Sequence, residues 1–225
     1  MSKKEEKKHD ELENVAHALT ASEAFIEKYQ KQLLMAVAAV VLAVLAVLAV
    51  KNFYLEPLEI EAENEMAKAQ TYFATDSFNV ALNGNGNDVM GFKEIASEYS
   101  LTSSGNLATA YAGIWYFKLG QYDNAIKFLS QFDGEDSYFS TSVVGLIGDA
   151  YVELGQTEKG ISYFEKAASA DNKVLSPIYL KKAGIAYEAL KKPEKALESY
   201  TKVKDNYPRS QEAADIEKYI ARVQK

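Results

Sequence analysis

The chain has no cysteine, and its two histidines, His9 and His17, both fall within the first 20 residues. The first absence removes disulfides, thiolate nucleophiles and thiolate metal sites together, and leaves the redox compartment unreadable. The second leaves everything beyond residue 17 without the side chain most used for general-base catalysis near neutral pH. A basic surplus is missing too: the net charge is -7, and residues 52–150 hold four lysines against 14 acidic residues. Such a stretch repels a phosphate backbone, and no basic stripe with interleaved aromatics offsets it, so nucleic acid is not an expected partner. With neither cofactor nor metal ligands in view, an enzyme is not expected.

What is present is unevenly distributed. Residues 1–51 balance seven lysines with seven acids, whereas residues 151–225 carry 14 Lys/Arg against 11 acids. An acidic domain of this kind steers basic or unfolded polypeptide more readily than nucleic acid.

Residues 33–50, LLMAVAAVVLAVLAVLAV, form an unbroken apolar run without charge, Gly or Pro. As a helix it reaches about 27 Å, close to the hydrocarbon thickness of a bilayer. The expectation is a single transmembrane helix. A buried core helix would show a polar face, and a cleaved signal would start with a short basic stretch and close on a small-residue site, neither of which occurs here. Tyr29 on one side and Phe53 with Tyr54 on the other suit interfacial aromatics. The tail, residues 1–32, carries six lysines and is therefore placed in the cytoplasm, with residues 51–225 outside, in the periplasm beyond the inner membrane of a double-membraned bacterium. Within the tail, Leu12, Val15, Ala16, Leu19, Phe25, Ile26 and Tyr29 recur at helical spacing.

Beyond residue 105 the chain repeats itself. Gly113, Gly148 and Gly184 are each followed three residues on by Tyr116, Tyr151 and Tyr187, and twelve residues on by Ala125, Gly160 and Ala196. Leu119-Gly120 and Leu154-Gly155 sit between, with Leu190-Lys191 in the third copy. Apolar residues at three- and four-residue steps on both sides of that dipeptide predict two helices per copy. Gly120 and Gly155 suit the left-handed residue that ends a helix, and Pro193 the first turn of the next. Small residues at the repeated positions suit the closest crossing of paired helices, and the tyrosines the adjacent gap.

This pattern of small, aromatic, small and large residues resembles the tetratricopeptide repeat over residues 106–208. The resemblance implies an all-α solenoid of three such helix pairs. Phe132 and Val203 depart from it by standing where the family has alanine near the end of the second helix. Residues 209–225, with Ala213, Ile216, Tyr219, Ile220 and Val223, suit a capping helix. Residues 51–105 suit a membrane-proximal helix and a divergent first hairpin, with one long helix from Leu58 to Leu82 and a second carrying Phe92, Ile95, Ala96 and Tyr99.

The family register implies a concave wall lined by the first helix of each pair. It would include Leu107, Ala110, Ile114 and Phe117, then Asp149, Val152 and Glu153, then Ile178, Lys181, Ile185 and Glu188. Apolar residues flanked by charges suit an extended peptide or a partner helix. The clamp of Lys and Asn by which some family members hold a terminal carboxylate is not evident.

Two chemical readings were weighed against turns and solvated faces. In NGNGNDVMGFKE, Asn83, Asn85, Asn87 and Glu94 fall at positions 1, 3, 5 and 12 of a hand-type calcium loop, but Asp88 occupies the position that needs glycine. Asp149 and Glu153 lie four apart on a helix, yet lack a histidine partner.

The layout of short tail, one anchor and acidic repeat domain is similar to the ancillary subunit of the bacterial Sec translocon. That likeness implies an adaptor holding protein partners or emerging polypeptides near the membrane. A structural scaffold in an envelope complex, or a homo-oligomer, is the alternative.

Overall fold

The computed structural model describes residues 3–73 and 77–224, with side chains described for 26–72 and 77–224. Its regular elements are all helical among these residues, and the chain divides into two compact units, residues 1–56 and 57–225.

The first unit is one long helix, α1 (Lys3–Val50), followed by a π-helical turn, Lys51–Leu55. Every residue from 33 to 50 is exposed on α1, so the apolar run finds no protein cover. This is the one helix among the described residues long and apolar enough to cross a membrane. The tail residues with helical spacing from Leu12 to Phe25 lie outside the described side chains.

The second unit opens with α2 (Glu56–Phe73), whose Ala62, Met66 and Ala69 are buried at three- and four-residue steps. The single long helix expected from Leu58 to Leu82 is not formed. Ser77 leaves helical backbone space with φ -83° and ψ 57°, and a separate short helix, α3 (Phe78–Asn83), follows. The break brings the Phe78 ring within 4.8 Å of the fully buried Trp115 and buries Ala81 and Leu82. Helix α4 (Phe92–Glu98) then packs Phe92 and Ile95 into the same core.

Three helix pairs follow: α5 (Ser103–Lys118) with α6 (Tyr122–Leu129), α7 (Phe139–Glu153) with α8 (Thr157–Ala168), and α9 (Leu175–Ala189) with α10 (Pro193–Asn206). A 3-10 turn, Glu212–Asp215, leads into the last helix, α11 (Ile216–Val223), which buries Ile216 and Ile220.

The same device turns the chain in each pair. The amides of Gln121, Gln156 and Lys192 donate to the carbonyls of Tyr116, Tyr151 and Tyr187 at 2.8, 2.8 and 2.9 Å. Gly120 and Gly155 take the required left-handed backbone at φ 71° and 72°, and Lys191 takes it at φ 56°. This is the helix-ending motif in which a left-handed residue lets the next amides satisfy orphan carbonyls.

Close helix crossing explains the small residues. A Cβ at Gly113 would meet Leu129 at 2.6 Å, one at Gly148 would meet Phe164 at 2.7 Å, and one at Gly184 would meet Tyr200 at 2.3 Å. Ala125 and Ala196 are fully buried, and Gly160 lies against the Gly148 carbonyl. Helix α6 stops at Leu129, shorter than α8 and α10, so Phe132 lies beyond it and packs edge-on against Phe139 at 5.3 Å. Val203 is fully buried inside α10.

Candidate functional site

The first helices of successive pairs, α5, α7, α9 and then α11, are neighbours, and the residues facing one another across them form the candidate partner-binding face. In α5, Leu107, Ile114 and Phe117 are half-buried against the first core cluster, and Phe117 meets Tyr122 edge-on at 5.3 Å. Ala110 has no exposed surface. It belongs to the core and lines no groove, because at that register α5 touches its neighbours through backbone-sized side chains.

In α7, Val152 also turns inward. Its Cγ2 would lie 2.5 Å from a Cβ placed on Gly160, so it fills the crossing with α8. Glu153 is exposed, and Asp149 is half-buried and ion-paired with Lys182, whose Nζ lies 2.6 and 2.8 Å from the two carboxylate oxygens. In α9, Ile178 is half-buried and Ile185 is 44% exposed. Ile185 is thus an apolar side chain left open between charged neighbours.

Lys181 and Glu188 are already engaged. Lys181 Nζ donates to Asp215 at 2.5 Å and lies 4.5 Å from the Tyr219 ring centroid. Arg222 donates to Glu188 through Nε at 2.8 Å and Nη2 at 2.7 Å, and the Tyr200 hydroxyl also donates to Glu188. The Arg222 guanidinium holds Glu188 below the usual carboxylate range, aided by Tyr200. Burial pushes the Tyr200 hydroxyl up, and its bond to Glu188 pushes further the same way. Behind this face, burial first and then the bond to Glu165 raise the Tyr187 hydroxyl to about 12.

Asp215, Arg222, Lys182, Gly145 and Tyr179 escaped sequence reasoning. Asp215 and Arg222 lie seven apart, as do Lys181 and Glu188, and both ion pairs span 34 residues, close to the 35 and 36 that separate Gly113, Gly148 and Gly184. That matched spacing of opposite charges was the available signal. Lys182 complements Asp149 at nearly the same separation. Gly145 makes room for Tyr179, whose ring would lie 2.0 Å from a Cβ on residue 145 and stacks on Phe164 at 6.3 Å.

The Asn-rich loop is an internally bonded turn. Asn85 Oδ1 accepts from the amides of Asn87, Asp88 and Val89 at 3.0, 3.2 and 3.1 Å, and Asn85 Nδ2 donates to Asp88 at 2.7 Å. Asn83 Nδ2 donates to Asn79 Oδ1 at 2.7 Å. The Asn85 oxygen that a calcium loop would aim inward is spent on the turn itself. Among the described residues no group of three or more His, Asp or Glu side chains is placed to hold a metal ion.

Comparison with known proteins agrees with this geometry. The family model of the tetratricopeptide repeat matches residues 142–174, and a second model of the same repeat matches 111–133 and 180–210. No curated protein matches the chain in sequence. The crystal structure of MamA protein superposes with a TM-score of 0.55 over 72% of this chain and 86% of its own, at 16% identity. A second crystal structure of MamA gives a TM-score of 0.43 over 59% of this chain and 86% of its own, at 17% identity. At these identities the likeness concerns the fold alone. The chain carries tetratricopeptide repeats, and its helix pairs stack as such repeats do.

Proposed function

We propose that this chain is a membrane-anchored adaptor that holds polypeptide partners on the face formed by α5, α7 and α9. Tetratricopeptide repeats are protein-interaction modules. The observation that carries the reading is Ile185, exposed on the face where its neighbours are buried or ion-paired. Burying such a side chain against a partner is favourable by about 25 cal/mol per Å² of apolar surface. Exposed residues 33–50 support a single bilayer span, with the repeats on the far side from the lysine-bearing tail. On this reading the partners are emerging or membrane-tethered polypeptides, in the manner of an ancillary translocon subunit.

The test is crosslinking in native membranes, followed by affinity purification of the full-length chain and mass spectrometry. Extraction that needs detergent, with channel subunits, tethered chaperones or nascent secreted chains in the eluate, supports the adaptor. Release by alkaline carbonate rejects the anchor. Recovery of one fixed set of envelope proteins, or of further copies of the chain alone, rejects the adaptor in favour of a scaffold or homo-oligomer.

A further inference from the structure

One edge of the repeat unit is a hydrogen-bonded seam. At its start, the amides of Ser103 and Ser104 donate to the Glu59 carboxylate at 2.6 and 2.9 Å, tying the first turn of α2 to the beginning of α5. Next, Asn106 Nδ2 donates to the Asp133 carbonyl at 2.5 Å while the Asp133 amide donates back to Asn106 Oδ1 at 2.9 Å. Asn172 Nδ2 donates to the Ser137 carbonyl at 2.9 Å, and the Tyr207 hydroxyl to Asp171 at 2.8 Å. These bonds tie helix starts and inter-repeat connections to one another from α2 to the approach to α11.

The same edge exposes one apolar side chain per connection. Leu101 is 69% exposed, Tyr138 58% and Val174 55%, each immediately before the first helix of a pair. At the opposite edge, at the turns inside the pairs, the equivalent leucines are less exposed: Leu119 is 42% exposed, and Leu154 and Leu190 are half-buried. A lone exposed leucine needs no explanation, but three at one repeated place on a rigid edge do.

Chain connectivity says what lies next to that edge. The apolar run ends at Val50, and the exposed aromatics Phe53 and Tyr54 follow. Tyr54 and Glu59 are five positions apart, about 8 Å along a helix and at most about 18 Å extended. If residues 33–50 cross a bilayer, this short covalent link keeps the start of the seam within reach of the lipid surface.

We infer that the edge bearing Leu101, Tyr138 and Val174 rests on the lipid headgroups, with these side chains in the interface. The inference rests on the membrane-anchor reading above. Insertion is apolar in origin, because exposed Asp133, Glu135 and Asp136 share the edge and oppose anionic lipid. Tethering supplies the effective concentration that makes so small a contact sufficient.

The absence of cysteine gives a clean test. Full-length chain carrying Lys173→Cys, beside Val174, or Gln156→Cys, on the opposite edge, is labelled with a fluorophore and reconstituted in phosphatidylcholine vesicles containing headgroup-nitroxide lipid. The label at 173 is expected to be quenched roughly twofold or more strongly than that at 156, given the shallow depth of interfacial contacts. Combining Leu101→Ser, Tyr138→Ser and Val174→Ser removes the difference without changing helical content, and phosphatidylglycerol in place of phosphatidylcholine reduces it. Equal quenching at both positions in vesicles that retain the chain overturns this inference and spares the anchor. Failure of the chain to float with the vesicles overturns both. A difference found only in native membranes, and absent in pure lipid, assigns the edge to a protein and overturns the lipid contact.

Discussion

Arg222 on the last helix forks onto the Glu188 carboxylate 34 residues earlier, with donor distances of 2.8 and 2.7 Å. Bidentate geometry makes this pair stronger than a typical surface ion pair, and it fastens α11 to α9. Because Arg222 and Tyr200 stabilise the charged form, Glu188 has a lower pKa folded than unfolded. Its contribution is therefore complete above the unfolded value of about 4.3 and is lost as pH falls through the folded one. Glu188→Gln should lower stability by about 1 kcal/mol at neutral pH and by less in acid, once the pH has fallen through the folded value, read from urea unfolding midpoints. A loss of equal size at both pH values would contradict the assignment.

Lys191 occupies the left-handed position that glycine holds in the other two pairs, at φ 56° against 71° and 72°. A side chain there costs about 1 kcal/mol or slightly more, and glycine removes the cost while adding some freedom to the unfolded chain. Lys191→Gly should raise stability by somewhat less than about 1 kcal/mol in thermal or urea melts. An unchanged or lower midpoint would mean that the turn carries no strain.

Gly145 gives the sharpest packing prediction. A methyl group there would fall 2.0 to 2.1 Å from the Tyr179 ring, which is nearly buried between α7, α8 and α9. Gly145→Ala should destabilise by about 1 to 3 kcal/mol and alter the near-ultraviolet circular dichroism as the ring shifts. Gly145→Ala together with Tyr179→Leu should recover part of the loss, and no recovery would place the clash elsewhere.

Phe117 and Ile185 are expected to behave differently. Phe117 packs against Tyr122 and the first core, so Phe117→Ala should cost up to about 3 kcal/mol. Ile185 is exposed and lies in no core cluster, so Ile185→Ala should stay within about 0.5 kcal/mol of the parent. Equal destabilisation by both would show that Ile185 is packed.

How far the sequence could be read follows from which interactions are local. Helix pairing was legible because Gly113, Gly148 and Gly184, with Tyr116, Tyr151 and Tyr187, recur at fixed steps, and the turn between paired helices is closed by bonds within six residues. The inward turn of Ala110 and Val152 was not legible, since a rotation of one residue step separates the open face from the crossing with the partner helix. The break at Ser77 was hidden because it depends on Phe78 reaching Trp115 from far along the chain. The Asn-rich loop was ambiguous for the opposite reason: Asn85 bonds to its own loop, which residue identities alone do not distinguish from ligation. The ion pairs Lys181 with Asp215 and Glu188 with Arg222 were latent in the spacing, and became visible once the helices were placed side by side.

The central claim is that polypeptide partners bind the α5, α7 and α9 face, and a photocrosslinking residue placed at position 185 of the full-length chain in native membranes tests it most directly. A control at Lys202, exposed on α10, samples the second helices instead. The account predicts adducts with other polypeptides at 185 that are weak or absent at 202. Adducts at 202 with none at 185 would contradict it.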